Sequence, residues 1–292
     1  MGDNHNHNHD HGDTKNIAIA FILNSFFVIV EIIGGYLTNS IAIMSDALHD
    51  FGDSLSLGIA WGLQKKAKKG RDNKYSYGYK RFSLLGSIFL SGVLSVSSVY
   101  VLIEAIKRIS APESVDAKGM LWLAIFGIII NGSAAFRLKK GTSLNEKAVF
   151  LHIMEDVLGW VAVLIVSITM MFVDLPILDP LLSIAISIWV MSNVYKNIRE
   201  TFKVLLQAIP DSVDTEALEN EIKQIPEVES IHDLHIWSLD GESHIMTLHI
   251  VTESKDKRSI KSRIIAISEK YHIVHVTIEM ESADYDCLHS CD

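Results

Sequence analysis

Four residues in the stretch IMSDALHDFGDSLSL (43–57) pose a chemical problem: Asp46, His49, Asp50 and Asp53. They lie in a segment that is otherwise apolar enough to cross a membrane. At 100° per residue they fall within an arc of about 100° on one helix face. A charge at the bilayer centre costs roughly 2.5–3.5 kcal/mol on insertion scales. Such a cluster has to face a protein interior or a wet cavity, and it needs counter-charge. A second apolar segment, FLHIMEDVLGW (150–160), carries His152, Glu155 and Asp156. His49/Asp53 and His152/Asp156 share the spacing His-x-x-x-Asp, and residues four apart lie side by side on a helix. Packed face to face, two such helices present two imidazoles and two carboxylates, a tetrahedral set suited to Zn2+. The two ionised Asp bring a double negative charge, which a bound Zn2+ cancels. Neither span holds a Lys or Arg. The competing reading is that these groups only pair with one another or with buried polar residues.

Other polar residues in apolar segments carry weaker signals. Asn24 and Glu31 are seven apart and share a face of the first segment. Glu31 is open to pairing, to carrying protons, or to contacting the metal-bearing helix. Asn131 is expected to hydrogen-bond between helices. Asp46 and Asp50 read as support behind the ligands or as a route in for the ion. Asp179-Pro180 reads as the start of a helix. The small residues of the third segment, Gly86, Ser87, Ser91, Gly92, Ser95, Ser97 and Ser98, favour close helix packing.

The elements that must position these groups follow from hydropathy. The 292-residue chain is 49% hydrophobic, with positive mean hydropathy and its apolar residues in long runs. Six segments are long enough to span a bilayer: roughly Ile17–Leu37, Ile41–Leu63, Phe82–Ile106, Met120–Leu138, Ala148–Val173 and Ile177–Tyr195. The second connection holds Lys65, Lys66, Lys68, Lys69, Arg71, Lys74, Lys80 and Arg81, and the fourth holds Arg137, Lys139, Lys140 and Lys147. The first and fifth hold no Lys or Arg. By the positive-inside rule both termini are expected in the cytoplasm. No cleavable signal peptide is expected, because the N-terminus is acidic and His-rich and lacks a basic region. The net charge of −9 argues against nucleic-acid binding.

After Pro210 the composition changes. An amphipathic helix over 214–225, strand-like runs VESIHDLHIW and SHIMTLHIV, a helix over 256–270 and a last strand HIVHVTIEME predict the order αββαβ. In that last strand Val274, Val276, Ile278 and Met280 alternate against His275, Thr277, Glu279 and Glu281. The expected fold is a six-helix transmembrane bundle with a C-terminal cytosolic α+β, ferredoxin-like domain. The expected divisions are a disordered His-rich tail over 1–15, the bundle over 16–208, the cytosolic domain over 209–284 and a Cys-containing tail over 285–292. In the first tail His5, His7, His9 and His11 alternate with Asn and Asp. Such a tract can chelate divalent metal loosely, and can equally be a disordered tail or an added tag. Cys287 and Cys291 are the only cysteines, which gives no disulfide framework and suits a reducing compartment.

With these residues on the page, the chain resembles the cation diffusion facilitator family, in its bacterial zinc–cobalt–cadmium efflux branch. The resemblance covers nearly the whole chain and rests on NSIAIMSDALHDFGDSLSL, YSYGYKRFSLLG, LHIMEDVLGW and HDLHIWSL. It implies that His49, Asp53, His152 and Asp156 form a transport site for Zn2+, with Cd2+ or Co2+ as alternatives. It implies a homodimer in the bacterial inner membrane that exchanges cytosolic divalent metal for external protons. It further implies a metal-binding dimerisation module at the C-terminus. There His232 and His249 fall on matching strand positions and Glu279 and Glu281 occupy the last strand. The tail residues Cys287 and Cys291, with His289, offer a weaker metal set. The bland reading of that domain is seven surface histidines: His232, His235, His244, His249, His272, His275 and His289. Two departures from the family stand out. Ser83 replaces an acid common after YGYKRF, and the second connection has no histidine to join Asp72 in a metal site.

Two other functions fit parts of the pattern. An intramembrane zinc enzyme would need an open coordination position and a general base, for which Glu155 is the candidate. Against it stand four symmetric protein ligands and the lack of a His-Glu-x-x-His motif. A metal sensor without transport would leave the mid-membrane cluster unexplained.

Overall fold

The computed structural model describes residues 25–67, 69–138, 144–173 and 175–283, with the backbone alone at 53, 56–62, 64, 65, 67, 137, 138, 144–149, 151 and 152. The N-terminal histidines, Asn24 and the tail with Cys287, His289 and Cys291 lie outside the described residues. The chain divides into two compact units. One draws on the chain up to Ala60 and on Phe89–Tyr195, the other on Trp61–Ile88 and on the chain from Lys196.

Six helices supply the first unit: α1 (Ser25–Thr38), α2 (Ile41–Ala67), α3 (Phe82–Ser110), α4 (Ala117–Leu138), α5 (Leu144–Phe172) and α6 (Leu178–Leu205). Helices α3 to α6 contain stretches long and apolar enough to cross a membrane. No more than 33% of each apolar stretch is buried, and Leu85, Phe89, Val96 and Ile103 on α3 are exposed. In water such surface would drive association, whereas lipid tails are its natural solvent. Helix α2 has the length, at 27 residues, and carries Asp46, Asp50 and Asp53 along it. The sixth helix runs about ten residues past the apolar stretch, so Lys196, Arg199 and Lys203 lie on it rather than after it. Hydropathy marks where apolar composition stops, and Lys, Arg and Glu continue a helix readily.

Trp160 of α5 is the hub of the packing. It is fully buried in a cluster with Phe27 of α1, Ile43 of α2 and Met120 of α4, and its ring meets Phe27 edge-on at 5.4 Å. A Cβ on Gly127 of α4 would come within 2.4 Å of that indole, so only glycine allows this approach of α4 to α5. Helices α2 and α3 close up in the same way at Gly52, whose Cβ would lie 2.5 Å from Leu94. Gly92, expected at a close contact, has open space instead, because it sits on the exposed side of α3.

The first, third and fifth connections meet at one end of this unit. Arg108, at the end of α3, donates to the carbonyl of Asn39 at 2.6 Å and to its side-chain oxygen at 2.8 Å. Asn39 adopts φ +54, a left-handed conformation that Asn tolerates. The Asp116 N–H donates to the Thr38 carbonyl at 2.9 Å. Asp179 does more than start α6. Its buried carboxylate accepts from Ser40 Oγ at 2.5 Å, Ile41 N at 2.8 Å and Ala42 N at 3.3 Å. Ser40 in turn accepts from Ile43 N at 3.2 Å. The orphan N–H groups of the first turn of α2 are therefore capped by its own Ser40 and by a carboxylate from a distant helix.

The second unit includes α7 (Thr215–Lys223), β1 (Ser230–Ser238), β2 (His244–Val251), α8 (Lys257–Glu269) and β3 (Ile273–Glu281), the expected order. Asp214 and Asp256 cap the two helices through Ala217 N and Ser259 N, both at 3.0 Å. Leu218 and Ile222 on α7, and Ile260 and Ile264 on α8, are four apart and bury one stripe each. They cover Ile236, Met246, Leu248 and Ile250 on one sheet face. The strand order is β1-β2-β3, antiparallel then parallel, with α8 as the crossover that a parallel pair requires. Two expectations change here. Val274 is exposed and Ile273 buried, because a register shift at His244/Ile245 turns the start of β3 over. His244 is not a surface residue: it is buried, with Nε2 3.2 Å from Ser212 Oγ. Burial, and then the neighbouring His272, hold its pKa below the usual histidine range.

Two expected outcomes follow from these contacts. Asp179→Ala strands the first turn of α2 and costs about 1–3 kcal/mol. Thermal unfolding in detergent is expected to show it, with Asp179→Asn milder because it keeps one acceptor oxygen. For His244, the unfolded chain takes up a proton near pH 6.5 that the folded domain resists. The stabilisation is full above that pH and lost below it. Melting between pH 7.5 and 5.5 is expected to fall less in His244→Gln than in the native protein.

Candidate functional site

The interior of the first unit gathers carboxylates from three helices. Asp46 and Asp50 on α2 and Asp156 on α5 are buried, and Glu31 on α1 is fully enclosed. Glu31 lies within electrostatic reach of Asp46 and Asp156, and Asp46 within reach of Asp156. Asp46 Oδ1 is 3.7 Å from where a Cβ on Gly159 would stand, one turn beyond Glu155 on α5. Helices α2 and α5 therefore approach each other at the level of these acids. Neither oxygen of Glu31, nor Asp46 Oδ2, meets a hydrogen-bond donor among the described residues. The indole Nε1 of Trp160 is near Glu31 but outside hydrogen-bonding geometry. Glu31 thus lies near acids on both helices that carry the His/Asp motifs.

His49 is half-buried on α2, with its ring 6.0 Å from Trp189 of α6 and close to perpendicular to it. It borders a crevice of about 10 Å3 lined by Ser45, Ser97 and Ser98, room for about one water. The side chains of Asp53 and His152 lie outside the described residues. Their backbone positions are one turn beyond His49 on α2 and one turn before Asp156 on α5. Glu155 is exposed, unlike its neighbour Asp156, so the base imagined for an enzyme does not share the enclosed interior. Asn131 is buried, but its Nδ2 has no partner among the described residues, contrary to the expected bridge between helices.

The second unit brings the four predicted cytosolic residues together. His232 on β1 is paired directly with His249 on β2, which is paired with Glu279 on β3. Directly opposite positions on neighbouring strands put side chains on one face, a few ångströms apart. Glu281, two residues on, shares that face, opposite the helix-covered one. His249 Nδ1 is 2.9 Å and His232 Nε2 is 3.2 Å from the two oxygens of Glu281. The two imidazole centroids are 5.2 Å apart. Each of the three residues offers a ligand atom within 4.8 Å of the others, which suits a divalent cation. Glu279 stands 3.6 Å from His249 Nε2. Glu281 is buried rather than outward-facing, because it closes onto both imidazoles at the end of β3.

Asp233 was not foreseen in this cluster. A bulge between His232 and His235 breaks the register of β1, and Asp233 takes φ +50 there. Its carboxylate reaches His249 Nε2 at 3.4 Å and His235 Nε2 at 2.8 Å. The sequence HDLH offered only the tolerance of Asp for left-handed backbone, which does not reveal a bulge.

Asp72 serves its own loop. It accepts from Lys69 Nζ and Tyr79 OH, each at 2.8 Å, and from the backbone N–H groups of Lys74 at 2.8 Å and Tyr75 at 3.0 Å. Lys69 first, and then these other donors, hold its carboxyl well below the usual range. With these partners it is the knot of a turn.

Comparison with known proteins adds the family. Residues 17–206 match the cation efflux transmembrane domain, and residues 210–283 match the cytoplasmic domain of cation efflux proteins. The metal cation efflux system protein CzcD of Cupriavidus metallidurans is 34% identical over 288 residues, covering 97% of this chain and 91% of the relative. The cadmium, cobalt and zinc/H(+)-K(+) antiporter of Bacillus subtilis is 33% identical over 290 residues, covering 97% and 92%. The solved metal-bound C-terminal domain of the CzcD transporter is 33% identical and matches with a TM-score of 0.22, covering 24% of this chain and 99% of that one. An apolar helical unit with an acidic interior, followed by an αββαβ domain, is thus matched by sequence from end to end, and the chain belongs to the cation efflux (cation diffusion facilitator) family, in its bacterial zinc–cobalt–cadmium branch: it is a membrane transporter of metal cations, not an enzyme.

Proposed function

We propose that the chain exports Zn2+ from the cytosol in exchange for protons, by alternating access of a mid-membrane site made of His49, Asp53, His152 and Asp156. The observation that supports this most is the gathering of Glu31, Asp46 and Asp156 from three helices whose apolar stretches hold no Lys or Arg. Several carboxylates gathered in an apolar interior favour a cation or protons among them. An exchanger uses one and then the other.

In the inward-facing state, deprotonated His and Asp ligands capture Zn2+ from the cytosol. Helix rearrangement turns the site outward. There protons compete for His49 and His152, since metal ligation needs neutral imidazole. Zinc leaves, and the protonated site returns without carrying an empty dianion through lipid. Cd2+ and Co2+ are alternative substrates. Both termini are assigned to the cytoplasm and the protein to the bacterial inner membrane. The divisions at 16–208 and 209–284 correspond to transport and to a metal-binding, dimerising domain, so the working unit is a homodimer. Regulatory Zn2+ at His232, His249, Glu279 and Glu281 would favour one state only by binding it more tightly.

In proteoliposomes with an acidic interior, Zn2+ uptake is expected to follow the pH gradient and to stop when the gradient is collapsed. Asp53→Ala is expected to abolish that uptake while leaving the dimer intact on size-exclusion chromatography; full activity would remove Asp53 from the site. His49→Asp replaces a nitrogen ligand by oxygen, and the ratio of Cd2+ to Zn2+ transport is expected to rise. For the cytosolic cluster, the expected outcome is the loss of about one bound Zn2+ per chain in His232→Ala, read by equilibrium dialysis of the full protein.

A further inference from the structure

The basic loop between α2 and α3 has a feature that metal transport does not use. Together with Gln207 just beyond α6 and Trp237 and Leu239 of the β1 region, it encloses a cavity of about 330 Å3, at the lower end of the sizes that hold small ligands. Three cations line it, Lys74, Lys80 and Arg81, and no carboxylate does. Lys80 is held in place, with Nζ 2.5 Å from Ser243 Oγ and 3.7 Å from Asp240 outside the lining. Lys74 and Arg81 have no carboxylate partner among the described residues. Arg81 Nε is buried without an acceptor among the described residues. A buried donor left unmatched costs about 1–3 kcal/mol, so an acceptor supplied from outside the protein would be favourable. The rest of the wall is aromatic: Tyr75, Tyr77, Phe82 and Trp237.

We infer that this cavity binds the phosphate of an anionic phospholipid headgroup. A phosphodiester offers oxygen acceptors to a guanidinium fork and to two ammonium groups. The wall includes Phe82, the first residue of α3, an apolar membrane-crossing helix. The cavity therefore borders the start of a helix apolar enough to cross a membrane, and Tyr and Trp of the kind in its wall collect at the headgroup level. Basic pockets on the cytoplasmic side of membrane helices hold acidic lipids by this chemistry. Free phosphate shares the chemistry but lacks a reason to be presented beside a membrane helix.

The test is lipid retention by the full-length protein, read by native mass spectrometry after release from nanodiscs of equal parts phosphatidylglycerol and phosphatidylcholine. The native chain is expected to keep phosphatidylglycerol preferentially. The double variant Lys74→Gln/Arg81→Gln is expected to lose that adduct about tenfold, while Lys255→Gln/Lys257→Gln, bordering a different cavity, keeps it. Arg81→Lys, which retains the charge, is expected to fall between. Equal retention of both lipids by the native protein would overturn the inference whether or not the variants fold. So would equal loss in both double variants, which would mean diffuse charge attraction. Displacement of the lipid by millimolar inorganic phosphate, with phosphate bound equally in phosphatidylcholine alone, would overturn the lipid as occupant.

Discussion

The constraint on which the membrane unit depends is the cost of holding carboxylates in an apolar interior. Glu31, Asp46, Asp50 and Asp156 are enclosed in a helical unit whose outer surface is suited to lipid. Ionised and unattended, each would be strongly destabilising. Three devices keep the arrangement tolerable. The acids face inward rather than toward lipid. They converge from α1, α2 and α5, so that one cation or a few protons can neutralise several of them. The helices that carry them are locked by Trp160, whose ring fills the space left by Gly127 and touches Phe27. An interior lined by several acids favours a positive guest, which accords with a transporter of metal cations.

Asp179 solves the same problem in the opposite way. It too is buried, but its charge is spent on the first turn of α2, where backbone N–H groups would otherwise lack acceptors. Carboxylates at a helix N-terminus are stabilised by the helix dipole as well as by direct hydrogen bonds. The helix that bears the His/Asp motif is thereby pinned at one end to the start of α6. Its acids further along, Asp46 and Asp50, lie buried in the same unit. The two uses of a buried acid are separated by little more than one turn of α2.

In the cytosolic domain the same chemistry is organised by strand register instead of helical spacing. Cross-strand pairing sets His232 beside His249 and His249 beside Glu279, on the sheet face away from the helices. The opposite face is filled by Ile236, Met246, Leu248 and Ile250. One alternation therefore builds both the hydrophobic core and the face that carries the His/Glu cluster, and a slip of one residue would destroy both.

The sequence alone determined the apolar helices, the αββαβ order and the His-x-x-x-Asp spacings. These rest on local periodicity, 3.6 residues for helices and two for strands, which survives in a linear string. It did not reveal the bulge that recruits Asp233, the burial of His244 and Glu281, the reach of α6 to Leu205 or the capping of α2 by Asp179. Each depends on what lies across from a residue. A bulge is one extra residue measured against a partner strand. A cap from 138 positions away is decided only when two helices meet. The convergence of Glu31 with Asp46 and Asp156 is of the same kind. Composition shows that an acid in an apolar segment needs a neutralising partner, but only packing decides which other acids it will share that partner with.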